Sequence, residues 1–202
     1  VKMKLLFNTL ILIISFVLVF IIAEFFYNLP SNAFNKFRYY TVYGGGETCI
    51  KKLGEYSSDF KSIGSFENGK CRVKNAVRIS SFKTTDLSSD LILTCSTALK
   101  VAKYFNEIEA KNIKHMGSYN CRTVANSKIM SEHSYGTAID ISHIDDASVE
   151  VDWNENTKKG KFLRKVHKVA CKYFSNVMTP NTNKSHLDHF HFDNGYGTQC
   201  FK

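Results

Sequence analysis

The segment His189-Phe190-His191-Phe192-Asp193 constrains the fold more than any other part of the sequence. Successive side chains of a β-strand point to opposite faces, so the two phenylalanines would share one face. The two histidines and the aspartate would share the other. The segment therefore predicts a strand whose apolar face covers a core and whose polar face can hold a ligand. The alternative is a polar outer face without a role.

A second segment, residues 131–140 (SEHSYGTAID), places a histidine seven residues before an aspartate, with Gly136 between them to permit a turn. An aspartate on a half-buried strand is costly unless it is paired or holds a metal ion. His133, Asp140 and His191 together make two imidazoles and one carboxylate. That is a typical catalytic zinc set, because three protein ligands leave the fourth position for water. The two segments therefore predict a Zn²⁺ site with these three ligands.

The rest of the chain predicts an α+β fold. Apolar residues recur at helical spacing over two stretches, 95–108 and 161–175. Short strands are expected at 72–82, 91–94, 136–143 and 187–193. Helices and strands alternate without a βαβ rhythm, so we expect a small antiparallel sheet with flanking helices and the zinc site on the sheet.

The N-terminal part differs from the rest in composition. Residues 5–26 are almost entirely apolar and long enough to cross a bilayer, which takes about 20 residues. Lys2 and Lys4 precede this stretch and favour export of the chain that follows it. We therefore expect a transmembrane signal anchor over 1–26, a stalk over 27–48 and a globular domain over 49–202. A cleaved signal peptide is the alternative.

The cysteines are six in number, and all follow the predicted stalk: Cys49, Cys71, Cys95, Cys121, Cys171 and Cys200. An even number of scattered cysteines in an exported domain predicts disulfides, whereas thiolate zinc sites use closely spaced pairs. Cys49–Cys71 is the expected first bridge, and the other pairings stay open. The net charge of +9 suits a polyanionic partner. For an exported domain we expect anionic wall polymers or lipid headgroups rather than nucleic acid.

Three segments, GSYNCR (117–122), SEHSYGTAID (131–140) and HLDHFHFD (186–193), resemble the extensin-like C-terminal domain family of bacterial exported proteins. With the two helical stretches, the resemblance covers about residues 47–202. That family is in turn similar to the zinc D-Ala-D-Ala carboxypeptidase and Hedgehog-type superfamily of peptidoglycan peptidases. The resemblance implies a Hedgehog/DD-peptidase-like fold and the same three metal ligands. With the predicted anchor, this bacterial family suggests a single-pass protein of the inner membrane whose soluble domain faces the periplasm.

The resemblance further implies roles for four residues near the metal. Asp188 matches the catalytic acid, which can take a proton from water and return it to the leaving amine. His189 matches the histidine that stabilises the transition state by donating to the oxyanion. Arg122 matches an arginine near the substrate, suited to a carboxylate, although a structural salt bridge is an equal alternative. His186 matches a further histidine that supports the site, and Asp188 has the alternative role of orienting a ligand histidine.

The expected function is that of a membrane-anchored, exported zinc metallopeptidase. Its substrates would be peptidoglycan stem peptides or cross-links, cleaved as a carboxypeptidase or an endopeptidase by zinc-activated water. The alternatives are a non-catalytic, zinc-stabilised module that binds the cell wall and a metal-free scaffold held by disulfides. The expected partners are a peptidoglycan peptide and, through the N-terminal helix, the membrane. The oligomeric state stays open.

Overall fold

The computed structural model describes Ser15, Leu18, Val19 and the continuous range 46–201. The chain divides into two compact units, residues 1–40 and 41–202. The described residues of the first unit are helical. The second unit contains the sheet, and its first helix begins at Glu47, within the last residues of the predicted stalk. Residues 27–45 of the predicted stalk lie outside the described residues.

The second unit is an α+β domain, as predicted. Its helices are α1 (Glu47–Leu53), α2 (Cys95–Glu107), α3 (Val149–Asp152) and α4 (Lys158–Tyr173). Its strands are β1 (Asp59–Asn68), β2 (Cys71–Phe82), β3 (Thr85–Thr94), β4 (Asn112–Gly117), β5 (Ala138–Ile144), β6 (Ala147–Ser148), β7 (Asn176–Met178), β8 (Phe190–Asp193) and β9 (Gln199–Cys200). Two 3-10 turns, Glu132–Tyr135 and Lys184–His186, lie next to the predicted site residues.

The strands of range 46–201 form one nine-stranded sheet, which is larger than the small sheet expected. The order is β1-β2-β3-β4-β5-β8-β7-β9, with β6 also paired to β5. The expectation of a purely antiparallel sheet is wrong, because β3 pairs with β4 and β7 with β9 in parallel. Helix α2 connects β3 to β4, so the domain contains one βαβ unit that the sequence pattern did not indicate. That parallel contact is short, with two registered pairs, Asp86–Asn112 and Leu87–Ile113.

The core lies between the sheet and helices α2 and α4. Phe190 and Phe192 of β8 are fully buried in it, as the alternating pattern predicted. Phe192 stacks on Phe174 at a centroid distance of 5.2 Å and meets the ring of Tyr104 edge-on at 5.6 Å. Burying a side chain of this size contributes about 1.5–3 kcal/mol. Because β8 is held through its apolar face, its polar face, including His191, is fixed in orientation.

All six cysteines are paired, which confirms the prediction of disulfides. The bridges are Cys49–Cys95, Cys71–Cys121 and Cys171–Cys200. The expected Cys49–Cys71 bridge is wrong. Cys49 lies on α1, which packs against α2 and so meets the first residue of that helix. Cys71 begins β2 and instead meets the segment that follows β4.

The predicted membrane anchor needs correction. Among the residues that the structure describes, no helix combines the length and the apolar character needed to span a bilayer. The single-pass anchor expected over residues 1–26, and the inner-membrane location derived from it, are therefore not supported. Most of that stretch lies outside the described residues.

Candidate metal centre

Two central strands bring an aspartate and a histidine together. Asp140 on β5 is the register partner of His191 on β8, and Oδ1 of Asp140 lies 2.8 Å from Nδ1 of His191. On either side of this pair, the same row across the sheet continues to Gly117 on β4 and Met178 on β7. Gly117 has no side chain, so the face beside Asp140 stays open on that side. The opposite faces of both strands point into the core.

His133 reaches the same place from a turn. Ser131 caps the 3-10 turn Glu132–Tyr135 by accepting a hydrogen bond from the backbone N–H of His133 at 3.3 Å. Gly136 ends the turn in the left-handed conformation, with φ of 64°. Glycine suits this position for two reasons. It adopts a positive φ readily, and a Cβ here would lie 2.8 Å from Cγ1 of Val73. The turn therefore fixes where the His133 ring enters the site.

The three predicted ligands converge. Nε2 of His133 lies 3.2 Å from Nδ1 of His191 and 3.1 Å from Oδ2 of Asp140. The three candidate donor atoms all lie within 4.8 Å of one another. Two nitrogens bound to a tetrahedral zinc ion at 2.0–2.1 Å would be about 3.4 Å apart. The spacing is thus close to what such an ion requires.

Outer hydrogen bonds orient both histidine rings. Nδ1 of His133 lies 2.5 Å from the carbonyl oxygen of Ser118, which can only accept, so Nδ1 carries the proton. Nε2 of His191 lies 3.0 Å from Oδ2 of Asp193, so a ring that binds a metal ion through Nδ1 can donate its Nε2 proton to this carboxylate. The two remaining nitrogens, each with a lone pair, then face one another and Asp140. Lone pairs at this distance repel unless a cation, either a proton or a metal ion, lies between them.

The pKa values agree with a site that favours positive charge. Burial by itself would raise the pKa of Asp140, but the hydrogen bonds and charges of His133 and His191 outweigh it and hold that pKa well below its usual range. Burial would likewise lower the pKa of His191, but the hydrogen bonds to Asp140 and Asp193 and their charges raise it to about 9. Both shifts show that this cluster favours an additional positive charge, which a proton or a metal ion can supply.

Asp188 and His189 form a hydrogen-bonded pair beside the three ligands. Oδ1 of Asp188 lies 2.7 Å from Nδ1 of His189, whose Nε2 lies 3.6 Å from Oδ1 of Asp140. The hydrogen bond from His189 is the main cause of a lowered Asp188 pKa, so the carboxyl is ionised at neutral pH. The side chain of Asp188 is 48% exposed, whereas that of His189 is largely buried. A buried imidazole thus lies between a solvent-facing carboxylate and the ligand cluster.

His186 and Arg122 lie at the margins. The His186 ring centroid lies 5.6 Å from that of His191 and 5.2 Å from that of His189. Burial, followed by the charges of these two histidines, lowers the pKa of His186 to about 4, so it is neutral at pH 7. Arg122 is exposed on the segment that leads to His133, and its backbone carbonyl accepts a hydrogen bond from Oγ of Ser134 at 2.6 Å.

Two groups that hold the ligands were given no role by the sequence. The alternating pattern of β8 placed Asp193 on the same face as His191. Its position two residues after that ligand could therefore have indicated that Asp193 contacts His191. The carbonyl group of Ser118 gives no such signal, because any residue type supplies it. A second cluster of possible metal ligands contains His167, Cys171 and Cys200. It offers no thiolate to a metal ion, because the two cysteines form a disulfide.

The fold and the site define a disulfide-bonded α+β domain with two histidines and one aspartate arranged as candidate metal ligands. The chain belongs to the family described as extensin-like protein C-terminus, whose model matches residues 47–200. No curated protein and no solved structure matches the chain.

Proposed function

We propose that this protein is a zinc metallopeptidase that cleaves peptidoglycan stem peptides or cross-links. The observation that carries the proposal is the convergence of two imidazole lone pairs and one carboxylate beside the Asp188–His189 pair. A zinc site on the sheet and a Hedgehog/DD-peptidase-like fold are part of this proposal. Peptidoglycan as the substrate rests on the resemblance of the three sequence segments.

The donor set supports zinc over calcium and magnesium. Two imidazole nitrogens and one carboxylate oxygen suit zinc, whereas calcium and magnesium take mostly oxygen ligands. His133, Asp140 and His191 would hold the ion and leave a position for water or substrate. When bound, zinc supplies Lewis acidity and activates water for attack on a peptide carbonyl.

Asp188 and His189 would handle the proton. A proton that Asp188 takes from the attacking water is shared along its 2.7 Å hydrogen bond with His189. With Nδ1–H directed at Asp188, Nε2 of His189 donates only when the ring is protonated. The protonated pair can therefore donate to the oxyanion and then return the proton to the leaving amine.

Arg122 would bind a carboxylate of the substrate. Its guanidinium is exposed and makes a long hydrogen bond within the described range, 3.5 Å from Nη1 to the carbonyl oxygen of Thr123. A planar guanidinium can form two parallel hydrogen bonds with a carboxylate, such as a peptide C-terminus or an acidic stem-peptide residue.

A digest of purified peptidoglycan tests the proposal. Wild-type protein with one equivalent of zinc should release trimmed stem peptides or opened cross-links, identified by mass spectrometry. His191→Ala should release none, and zinc analysis of both proteins shows whether the ion was lost. Wild-type protein that binds zinc but gives no product would exclude the peptidase.

The second candidate is a non-catalytic, zinc-stabilised module that binds the cell wall. The position of His186 favours it, because a neutral histidine next to His189 and His191 could occupy the fourth ligand position and exclude water. His186→Ala separates the two functions. The module would lose zinc affinity in this variant, whereas the peptidase would keep its zinc.

A further inference from the structure

We propose that Asp193 and Asn176 are positioning residues that set the affinity of His191 for the metal ion. This inference rests on the proposed function, because it concerns the same zinc site. Neither residue touches the other two ligands, and neither belongs to the set that the sequence predicted. Their role would be to hold one ligand ring in the orientation that metal binding needs.

Asp193 is a buried carboxylate with specific partners for both oxygens. It is 3% exposed and lies two residues after His191 on the same face of β8. Oδ2 accepts from Nε2 of His191 at 3.0 Å. Oδ1 accepts from the backbone N–H of Gly195 at 2.7 Å and from Nδ2 of Asn176 at 2.8 Å. The carboxylate therefore cannot turn away from the histidine without losing other hydrogen bonds.

Asn176 holds that carboxylate from the neighbouring strand. It is the register partner of Asp193 across β7 and β8 and is itself buried. Both hydrogens of its Nδ2 are used, one on Asp193 and the other on the carbonyl oxygen of Tyr196 at 3.0 Å. An amide with both donors engaged has a single favourable orientation.

The C-terminal segment is shaped around this amide. Gly197 has φ of 105°, and a Cβ there would lie 2.8 Å from Oδ1 of Asn176. The chain then continues to β9, which pairs with β7 and is joined to α4 by the Cys171–Cys200 disulfide. The backbone thus closes over Asn176 and is fastened covalently just beyond it.

The consequence for the metal follows from the tautomer of His191. Metal binding needs the lone pair on Nδ1, which faces Asp140 and His133, and acceptance of the Nε2 proton by Asp193 favours that tautomer. Loss of the acceptor would let the proton move to Nδ1 and would free the ring to rotate. Partners of this kind typically contribute 10–100-fold to metal affinity.

Asn194 provides a matched control. It is a neighbouring buried asparagine, but its side chain accepts from Nζ of Lys100 at 2.7 Å and donates to Oγ1 of Thr97 at 3.2 Å. Both partners belong to helix α2. Asn194→Ala should therefore lower the melting temperature without changing zinc affinity.

Zinc dissociation constants of the wild type and variants, measured at pH 7 by competition with a chromophoric chelator, test the inference. Asp193→Asn should weaken zinc binding by about 10–100-fold and Asn176→Ala by about tenfold, with Asn194→Ala within twofold of wild type. Melting temperatures of the chelated proteins show which variants fold, and the near-isosteric Asp193→Asn keeps the test valid if Asn176→Ala does not fold.

The same measurements distinguish failure of the proposed function from failure of the inference about Asp193 and Asn176. Wild-type protein that takes up no zinc overturns the proposed function and this inference together. Wild-type protein that binds zinc, with Asp193→Asn and Asn176→Ala binding it equally well, overturns the inference alone. A matching loss of affinity in Asn194→Ala also overturns it, because the effect would then reflect general loosening of the domain.

Discussion

Asp140 and His191 face each other on neighbouring antiparallel strands, with Oδ1 of the aspartate 2.8 Å from Nδ1 of the histidine. The register between β5 and β8 therefore decides whether the candidate metal site can form. A shift of β8 by one residue would turn His191 into the core and bring Phe190 or Phe192 to the ligand face. The stacking of Phe192 on Phe174 holds the register that the site needs.

Asp188→Asn should separate proton transfer from metal binding. We expect the rate of stem-peptide hydrolysis to fall by about 10²–10⁴-fold with zinc content unchanged, because the amide cannot accept the proton. Hydrolysis rates and zinc content measured on the same preparations check this. Asp146→Asn is the control, since this exposed aspartate pairs with Lys159 on the surface and should leave both quantities unchanged. Loss of zinc from Asp188→Asn would contradict the assignment.

Gly136→Ala should destabilise the domain more than Gly69→Ala. Both glycines have positive φ, 64° and 58°, which costs an alanine about 1–2 kcal/mol. A Cβ at Gly136 would also meet Val73 at 2.8 Å and the backbone nitrogen of Thr94 at 3.3 Å, whereas a Cβ at Gly69 meets nothing within 4 Å. Urea unfolding should therefore show an additional loss of about 1 kcal/mol or more at Gly136. Equal losses would show that the turn has room to adjust.

His167 should make the metal-free domain less stable at acidic pH. Burial is the main cause of its lowered pKa, so the unfolded chain, with a histidine pKa near 6.5, takes up the proton first as the pH falls. Stability is unaffected above that value and declines below it by up to about 1.4 kcal/mol per pH unit, until the pH passes the folded pKa.

The variant His167→Phe tests this pH dependence, because the new ring can keep the contacts with Trp153 and Phe190. Urea unfolding at pH 7 and pH 5.5, in the presence of chelator, should show a smaller decline for the variant than for the wild type. Groups common to both proteins cancel in this comparison. An identical decline would mean that His167 is protonated as readily in the folded protein as in the unfolded chain.

Removal of the Cys71–Cys121 bridge should cost about 4 kcal/mol of stability, from the entropy of a loop whose ends are 50 residues apart. The double variant Cys71→Ser with Cys121→Ser should show this loss in urea unfolding of the metal-free protein. Because Cys121 lies just before the segment that leads to His133, zinc affinity should fall as well. The double variant of Cys171 and Cys200, with a separation of 29, should lose slightly less stability. The opposite order would indicate residual structure in the reduced unfolded chain.

Local patterns predicted the parts of the fold that depend on local geometry. The alternation around His191 fixed which side chains enter the core, because the period of a strand is two residues. Helices α2 and α4 followed from the apolar positions on one helical face. The three candidate ligands followed from residue type and spacing, although one of them, His133, lies on a turn rather than on a strand.

The remaining features depend on long-range contacts that a single sequence does not indicate. Strand β1 was missed because most of its residues are exposed on both faces, so it lacks an alternating pattern. The parallel pairing of β3 with β4 depends on how α2 packs, and the partner of Cys49 depends on the contact between α1 and α2. The contact of Asn176 with Asp193 likewise requires β7 to lie beside β8.

The two outer disulfides have a mechanical consequence. A pull applied at Cys49 and Cys200 would pass through sulfur to Cys95 and Cys171, since each outer cysteine is bonded to one of these. Tension would then reach Cys121 by two routes, through residues 95–121 and through residues 49–71 with the Cys71–Cys121 bridge, and it would continue through residues 121–171. Residues 171–200 would bear no load. Strand β8 and its histidine belong to the unloaded part, whereas the turn that contains His133 lies on the loaded path. Stretching the domain would thus separate the metal ligands before it unravelled the C-terminal strands.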